Sequence, residues 1–215
     1  MNYLGREPIN AYTHFFAALL SIMGTIALIS FGTKNEPLPT IMLISFIVFG
    51  LSLTALYTAS GIYHFVIAKD QVILKLKKID HAMIFVLIAG SYTPFCMLSL
   101  TGIWRWGIIT VIWGLTISGI LLKIFWIDMP RWLSTSMYIG MGWFSLIALQ
   151  PLYNALSPQA FLWLVIGGVM YTIGGIIYGI KKPNISKHFG FHEIFHIFVM
   201  LGSTCHYYAV FQYLL

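Results

Sequence analysis

Seven apolar runs dominate this chain, at about residues 12–31, 40–67, 80–99, 103–125, 131–153, 159–180 and 189–213. Each is long enough for the roughly 30 Å hydrocarbon core of a bilayer. No water meets the backbone there, so a run of this length crosses as a helix that satisfies its own hydrogen bonds. The fold class that follows is all-α, one seven-transmembrane helical bundle over residues 1–215. Only 8% of the residues are charged, against roughly 25% in soluble domains, and the mean hydropathy is +0.87. The breaks suit their places: Lys34-Asn-Glu-Pro-Leu-Pro after the first run, Lys69 to Lys78 between the second and third, Thr101-Gly102, Asp128-Met-Pro, Asn154 to Pro158 and Lys181-Lys-Pro-Asn.

The net charge of +6 would suggest nucleic acid in a soluble protein; in this one it records topology. Arg6, Lys69, Lys75, Lys77, Lys78, Lys123, Arg131, Lys181, Lys182 and Lys187 fall on one side, and Lys34 and Arg105 on the other. The positive-inside rule then puts the amino terminus in the cytoplasm and, after an odd number of spans, the carboxyl terminus outside. The first run is read as an uncleaved span, because no small-x-small cleavage site follows it. Cys96 and Cys205 both lie in apolar runs and indicate neither a disulfide framework nor a cysteine zinc site. Gly175-xxx-Gly179 permits close helix packing. Pro94 should kink the third span, with Ser91 and Thr93 placed to satisfy freed backbone groups. Trp104, Trp106, Trp126 and Trp132 stand near span ends, as an interfacial belt requires.

The last run and the residue just before it carry four of the seven histidines: His188, His192, His196 and His206. Ionisable residues inside a hydrophobic span are costly and mark a functional site by default. With the topology above, His64 near the end of span two, Asp80 opening span three, and His192 and His196 opening span seven all reach the cytoplasmic side. Ser60 precedes His64 by one turn on the same face. Two histidines at i and i+4, joined by a third from another helix, form a three-histidine site with an open position. Such a site suits a zinc-bound water, whose pKa the metal lowers to about 7. Asp80 is placed to orient that water or take its proton, and Ser60 to hydrogen-bond a ligand or a developing oxyanion.

Plainer roles compete. His64 alone fits a satisfied interfacial histidine, and Asp80 after a lysine run fits an N-cap paired with Lys77 or Lys78. Ser60 beside Gly61 fits simple close packing, His188 an interfacial place, and His14 and His206 buried hydrogen-bonding roles. The pair His192/His196 resists such readings, because two neutral imidazoles gain little from lying together in hydrocarbon unless something binds them. His192-Glu193-Ile-Phe-His196 also spells H-E-x-x-H, the zinc-protease helix with Glu as general base. The metzincin extension is missing, since Val199 and Gly202 stand where its glycine and third histidine would be, and no Asp-Gly dipeptide occurs in the chain. Glu193 then reads as a first-turn carboxylate favoured by the helix dipole.

Ser60-xxx-His64, Lys-Ile-Asp80-His, Phe-His192-xxx-His196, Gly90-Ser-Tyr-Thr-Pro94 and Cys205-His206-Tyr resemble the hemolysin III branch of the progestin and adipoQ receptor family. Alkaline ceramidases share this core pattern more distantly. The resemblance implies seven helices with the amino terminus inside, zinc on His64, His192 and His196, Asp80 touching the metal through water, and Ser60 beside the site. It also implies a ceramidase-like hydrolase with an acyl chain lodged in the bundle, in the inner membrane of a bacterium and tied to membrane lipid homeostasis. The expected function is therefore zinc-dependent hydrolysis of a lipid amide or ester. The alternatives are a non-catalytic lipid sensor or cytolytic protein with structural zinc, and, behind both, an intramembrane metalloprotease. Expected partners are membrane lipids, a fatty acyl or sphingolipid-like ligand; nucleic acid is not expected. Short outer loops and the lack of a long soluble amino-terminal region argue against a protein-hormone receptor.

Overall fold

The computed structural model describes residues 5–34, 36–186 and 189–215, and its regular structure is entirely helical. In chain order the helices are α1 (Pro8–Gly32), α2 (Thr40–Phe65), α3 (Asp70–Ser99), α4 (Gly102–Phe125), α5 (Arg131–Trp143), α6 (Leu149–Ala155), α7 (Pro158–Ile180) and α8 (Phe191–Tyr213). A 3₁₀ turn at Phe144–Ala148 joins α5 to α6, and the three together make the fifth span. Among the described residues, seven segments are long and apolar enough to cross a membrane, so the chain is a multi-pass membrane protein. Helix α1 packs on α2, α2 on α3, α3 on α4, α5 on α7, α7 on α8, and α8 closes back onto α1. Helix α3 also meets α5 and α8 and is the most buried of the spans.

Two features depart from the hydropathy pattern. Helix α3 begins at Asp70, not at Asp80. The segment Gln71-Val-Ile-Leu-Lys-Leu-Lys-Lys holds no glycine or proline, and Asp70 supplies a negative charge in its first turn, so the lysine run is helical rather than a loop. Asp80 is therefore an interior helix residue, and the N-cap role is excluded. The fifth span is broken where one run was expected over 131–153. Pro151 has no N–H to give the Ile147 carbonyl, and its ring excludes that carbonyl from a regular turn. The Tyr92 hydroxyl of α3 repairs the break, accepting from the Ser145 N–H at 2.8 Å and donating to the Gly142 carbonyl at 2.6 Å. At Pro94, Ser91 and Thr93 donate to the Leu87, Ile88 and Ala89 carbonyls, not to the Gly90 carbonyl that the proline frees.

Small residues set the close contacts around the last helix. A Cβ on Gly167 would stand 2.2 Å from His206 Cδ2, and one on Gly174 2.9 Å from Phe198 Cβ, so α7 approaches α8 along its glycine face. Gly175 and Gly179 turn instead to Ile139 and Thr135 of α5. The helix-contact role of the Gly-xxx-Gly pair is thus borne out. The four tryptophans near span ends are all exposed at the bundle surface. His188 and Lys187 lie outside the described residues.

Candidate metal centre

His64 sits in the last turn of α2, and His192 and His196 in the first turns of α8. One ligand nitrogen from each lies within 4.8 Å of the other two, although 128 residues separate His64 from His192. The ring centroids form a near-equilateral triangle: 5.0 Å from His64 to His192, 4.9 Å from His64 to His196 and 4.7 Å from His192 to His196. His64 Nε2 and His192 Nε2 stand 3.3 Å apart. Two nitrogens on a tetrahedral ion with metal–nitrogen bonds of about 2.0–2.1 Å would be separated by roughly 3.3–3.4 Å. The donor set therefore fits a divalent metal that favours imidazole. His64 and His196 are buried, and His192 is half-buried beside them.

A deep cavity opens beside these rings. His192 and His196 line it together with Ser60, Asp80, His81 and His14. From there it runs past Leu87, Phe95, Phe161 and Leu164 to His206 and Tyr171. His192 and His206 are fourteen residues apart on α8, so the cavity follows that helix for about 21 Å. Asp80, His81, His14, His192 and His196 cluster at the metal-site end, and the remaining walls are largely aliphatic and aromatic, with Ser91, Ser145, Thr172 and His206 among them. Asp80 is buried, its carboxylate 3.3 Å from His81 Nδ1, with Ser60 as its hydroxyl neighbour. Lys78 is not its partner; that ammonium donates to the Ile124 carbonyl at 2.6 Å.

Several contacts at this end have no counterpart in the sequence reading. His14 on α1 stacks on His196 with centroids 3.7 Å apart and planes within 8°. Its ring nitrogens are buried and have no hydrogen-bond partner, so it is buried as expected but does not hydrogen-bond as expected. Glu7, just before α1, places Oε2 at 2.5 Å from His64 Nδ1. That bond holds the Glu7 carboxyl down to about 2, against the upward push of partial burial and with help from the nearby Arg6 guanidinium. Asn10 Nδ2 donates to Glu193 Oε1 at 2.8 Å. The other oxygen of Glu193 accepts from the Gly190 N–H at 2.7 Å, closing the first turn of α8. Glu193 is thus engaged as a cap, as its first-turn position implied. The sequence held one signal for this group, Glu7, Asn10 and His14 at successive turns where the first apolar run begins.

A family model described as Haemolysin-III related matches residues 2–207. The chain belongs to the haemolysin-III related family. It is 39% identical over 207 residues to a Hemolysin-3 homolog of Bacillus subtilis, covering 96% of this chain and 93% of that one. It is 36% identical over 213 residues to Hemolysin-3 of Bacillus cereus, covering 99% and 94%. More distantly, it is 26% identical over 216 residues to the human Monocyte to macrophage differentiation factor, covering 95% and 83%. With its seven apolar helices, this haemolysin-III related chain is a multi-pass membrane protein of the kind the Bacillus relatives represent.

Proposed function

We propose that this chain is a zinc-dependent hydrolase of a lipid amide or ester, ceramidase-like, with its amino terminus in the cytoplasm and the site at the cytoplasmic end of the bundle. One observation carries the reading: three imidazoles from two helices converge at the mouth of a long, mostly apolar cavity that also receives a buried carboxylate and a hydroxyl. His64, His192 and His196 would hold the zinc, which would supply a Lewis acid able to activate water near neutral pH. The cavity takes the acyl chain of the substrate along α8 and excludes bulk water from it. Asp80 orients the attacking water, accepts its proton at the carboxylate and returns it to the departing amine or alkoxide as the C–N or C–O bond breaks. Ser60 donates to the carbonyl oxygen as negative charge develops there.

The rival reading, a lipid sensor or lytic protein stapled by zinc, draws on the names of the Bacillus relatives. A staple is closed by four protein ligands, whereas among the described residues three imidazoles converge. The test has two readouts on purified protein. Zinc content should be near one per chain and disappear in His192→Ala/His196→Ala. Released fatty acid should be detected from at least one of a panel of ceramides, phospholipids and N-acyl amines. Zinc without release from any of them turns the assignment to the sensor; no zinc at all ends it.

A further inference from the structure

We infer that Glu7 is the positioning residue of the metal centre, and that the short segment around it straps together the two helices that supply the ligands. The inference rests on the zinc reading above. Glu7 occupies the N-cap position of α1, where a side chain ordinarily accepts from the backbone N–H groups of the first turn. Its side chain makes no such cap bond. The carboxylate is turned away to His64 Nδ1 instead, 2.5 Å distant. A carboxylate in this role only accepts, so Nδ1 carries the ring proton and donates. That leaves Nε2, the nitrogen that faces His192, as the one free to ligate. Carboxylates that fix the tautomer and tilt of ligand histidines in this way raise ligand basicity, and losing them typically weakens metal binding 10–100-fold.

The backbone on either side of Glu7 is fixed as firmly as its side chain. Helix α2 ends with orphan carbonyls, as every helix does. The Glu7 N–H donates to the His64 carbonyl at 2.9 Å, the Arg6 N–H to the Phe65 carbonyl at 3.2 Å, and the Arg6 guanidinium to the Tyr63 carbonyl at 2.9 Å. Gly5 makes that approach possible: its φ is +90°, and a Cβ there would meet the Phe65 ring at 2.9 Å. One turn into α1, Asn10 Nδ2 reaches Glu7 Oε2 at 3.4 Å while donating to Glu193 Oε1 on α8. The strap therefore holds the end of α2 and the start of α8 at once, and these are the two places from which the imidazoles come.

The experiment uses the full chain in detergent or nanodiscs. Zn²⁺ affinity is measured by competition with a chelator, and Co²⁺ replaces zinc to report ligand geometry through its visible spectrum. Glu7→Leu should weaken Zn²⁺ binding 10–100-fold and alter the Co²⁺ bands. Glu7→Gln keeps an acceptor oxygen but not the charge, so its affinity should fall between those of wild type and Glu7→Leu. Wild-type affinity in both variants overturns the inference, as does a lower melting temperature of the metal-free protein with unchanged affinity. Should Glu7→Leu fail to fold, Glu7→Gln decides alone: weaker binding at an unchanged metal-free melting temperature supports the role, and unchanged binding refutes it. A wild-type protein that takes up no zinc removes the zinc reading and this inference together, whereas normal uptake by every variant removes this inference only.

Discussion

Helix α8 carries buried histidines at both ends, and the two ends use them differently. At its start, His192 and His196 turn their rings toward His64 and leave nitrogens converging on one point. Toward its end, His206 reaches the Leu164 carbonyl of α7 with Nε2 at 3.1 Å and sits over Gly167, edge-on to Phe95 and Tyr171. Its Nδ1 is buried without a hydrogen-bond partner, and close by the Tyr57 and Tyr171 hydroxyls both pair with Ser203, at 2.6 and 2.8 Å. The same residue type, on the same stripe of one helix, joins a group that could hold a metal ion at one end and is a strut at the other. What distinguishes them is where the nitrogens go, not how apolar their surroundings are.

That contrast can be broken most sharply by emptying the ligand end. The double variant His192→Ala/His196→Ala should lose all bound zinc and all hydrolysis, measured by elemental analysis and fatty acid release; retained zinc at one per chain would erase the difference between the two ends. Next in size, Asp80→Asn should keep zinc at one per chain and lose turnover by about 10²–10⁴-fold, the usual worth of a positioned general base. At the strut end the effects should be on stability. Gly167→Ala forces a methyl group into the His206 ring and should cost about 1–3 kcal/mol, read by thermal unfolding in detergent, with zinc content unchanged. Smallest of all, Ser203→Ala removes the hydroxyl that pairs with both Tyr57 and Tyr171 and should cost about 1 kcal/mol, again without touching the metal. Loss of zinc in either strut variant would mean that the two ends act as one unit.

Much of the ligand end was legible in the chain. Each span's direction follows from where the previous one ended, so the depth of His64, Asp80, His192 and His196 could be compared before any packing was known. The i, i+4 spacing of His192 and His196 put both imidazoles on one face for the same local reason. Glu7 and Asn10 were not legible in this way. Their partners His64 and Glu193 lie 57 and 183 residues away, and no periodicity relates a carboxylate before one span to an imidazole at the end of another. The lysine run before Asp80 misled for the opposite reason. Hydropathy marks where a membrane span ends, but helix propensity decides where the helix ends, and here the helix runs ten residues further.

By itself the sequence determined seven helical spans and the histidine pair, because water-free surroundings leave the backbone one solution and helix geometry is local. Only the tertiary structure decided which histidines converge and which is a strut, and which carboxylate holds His64. A hydrogen bond has a direction and a reach of about 3 Å, and its partner is known only once the helices have met.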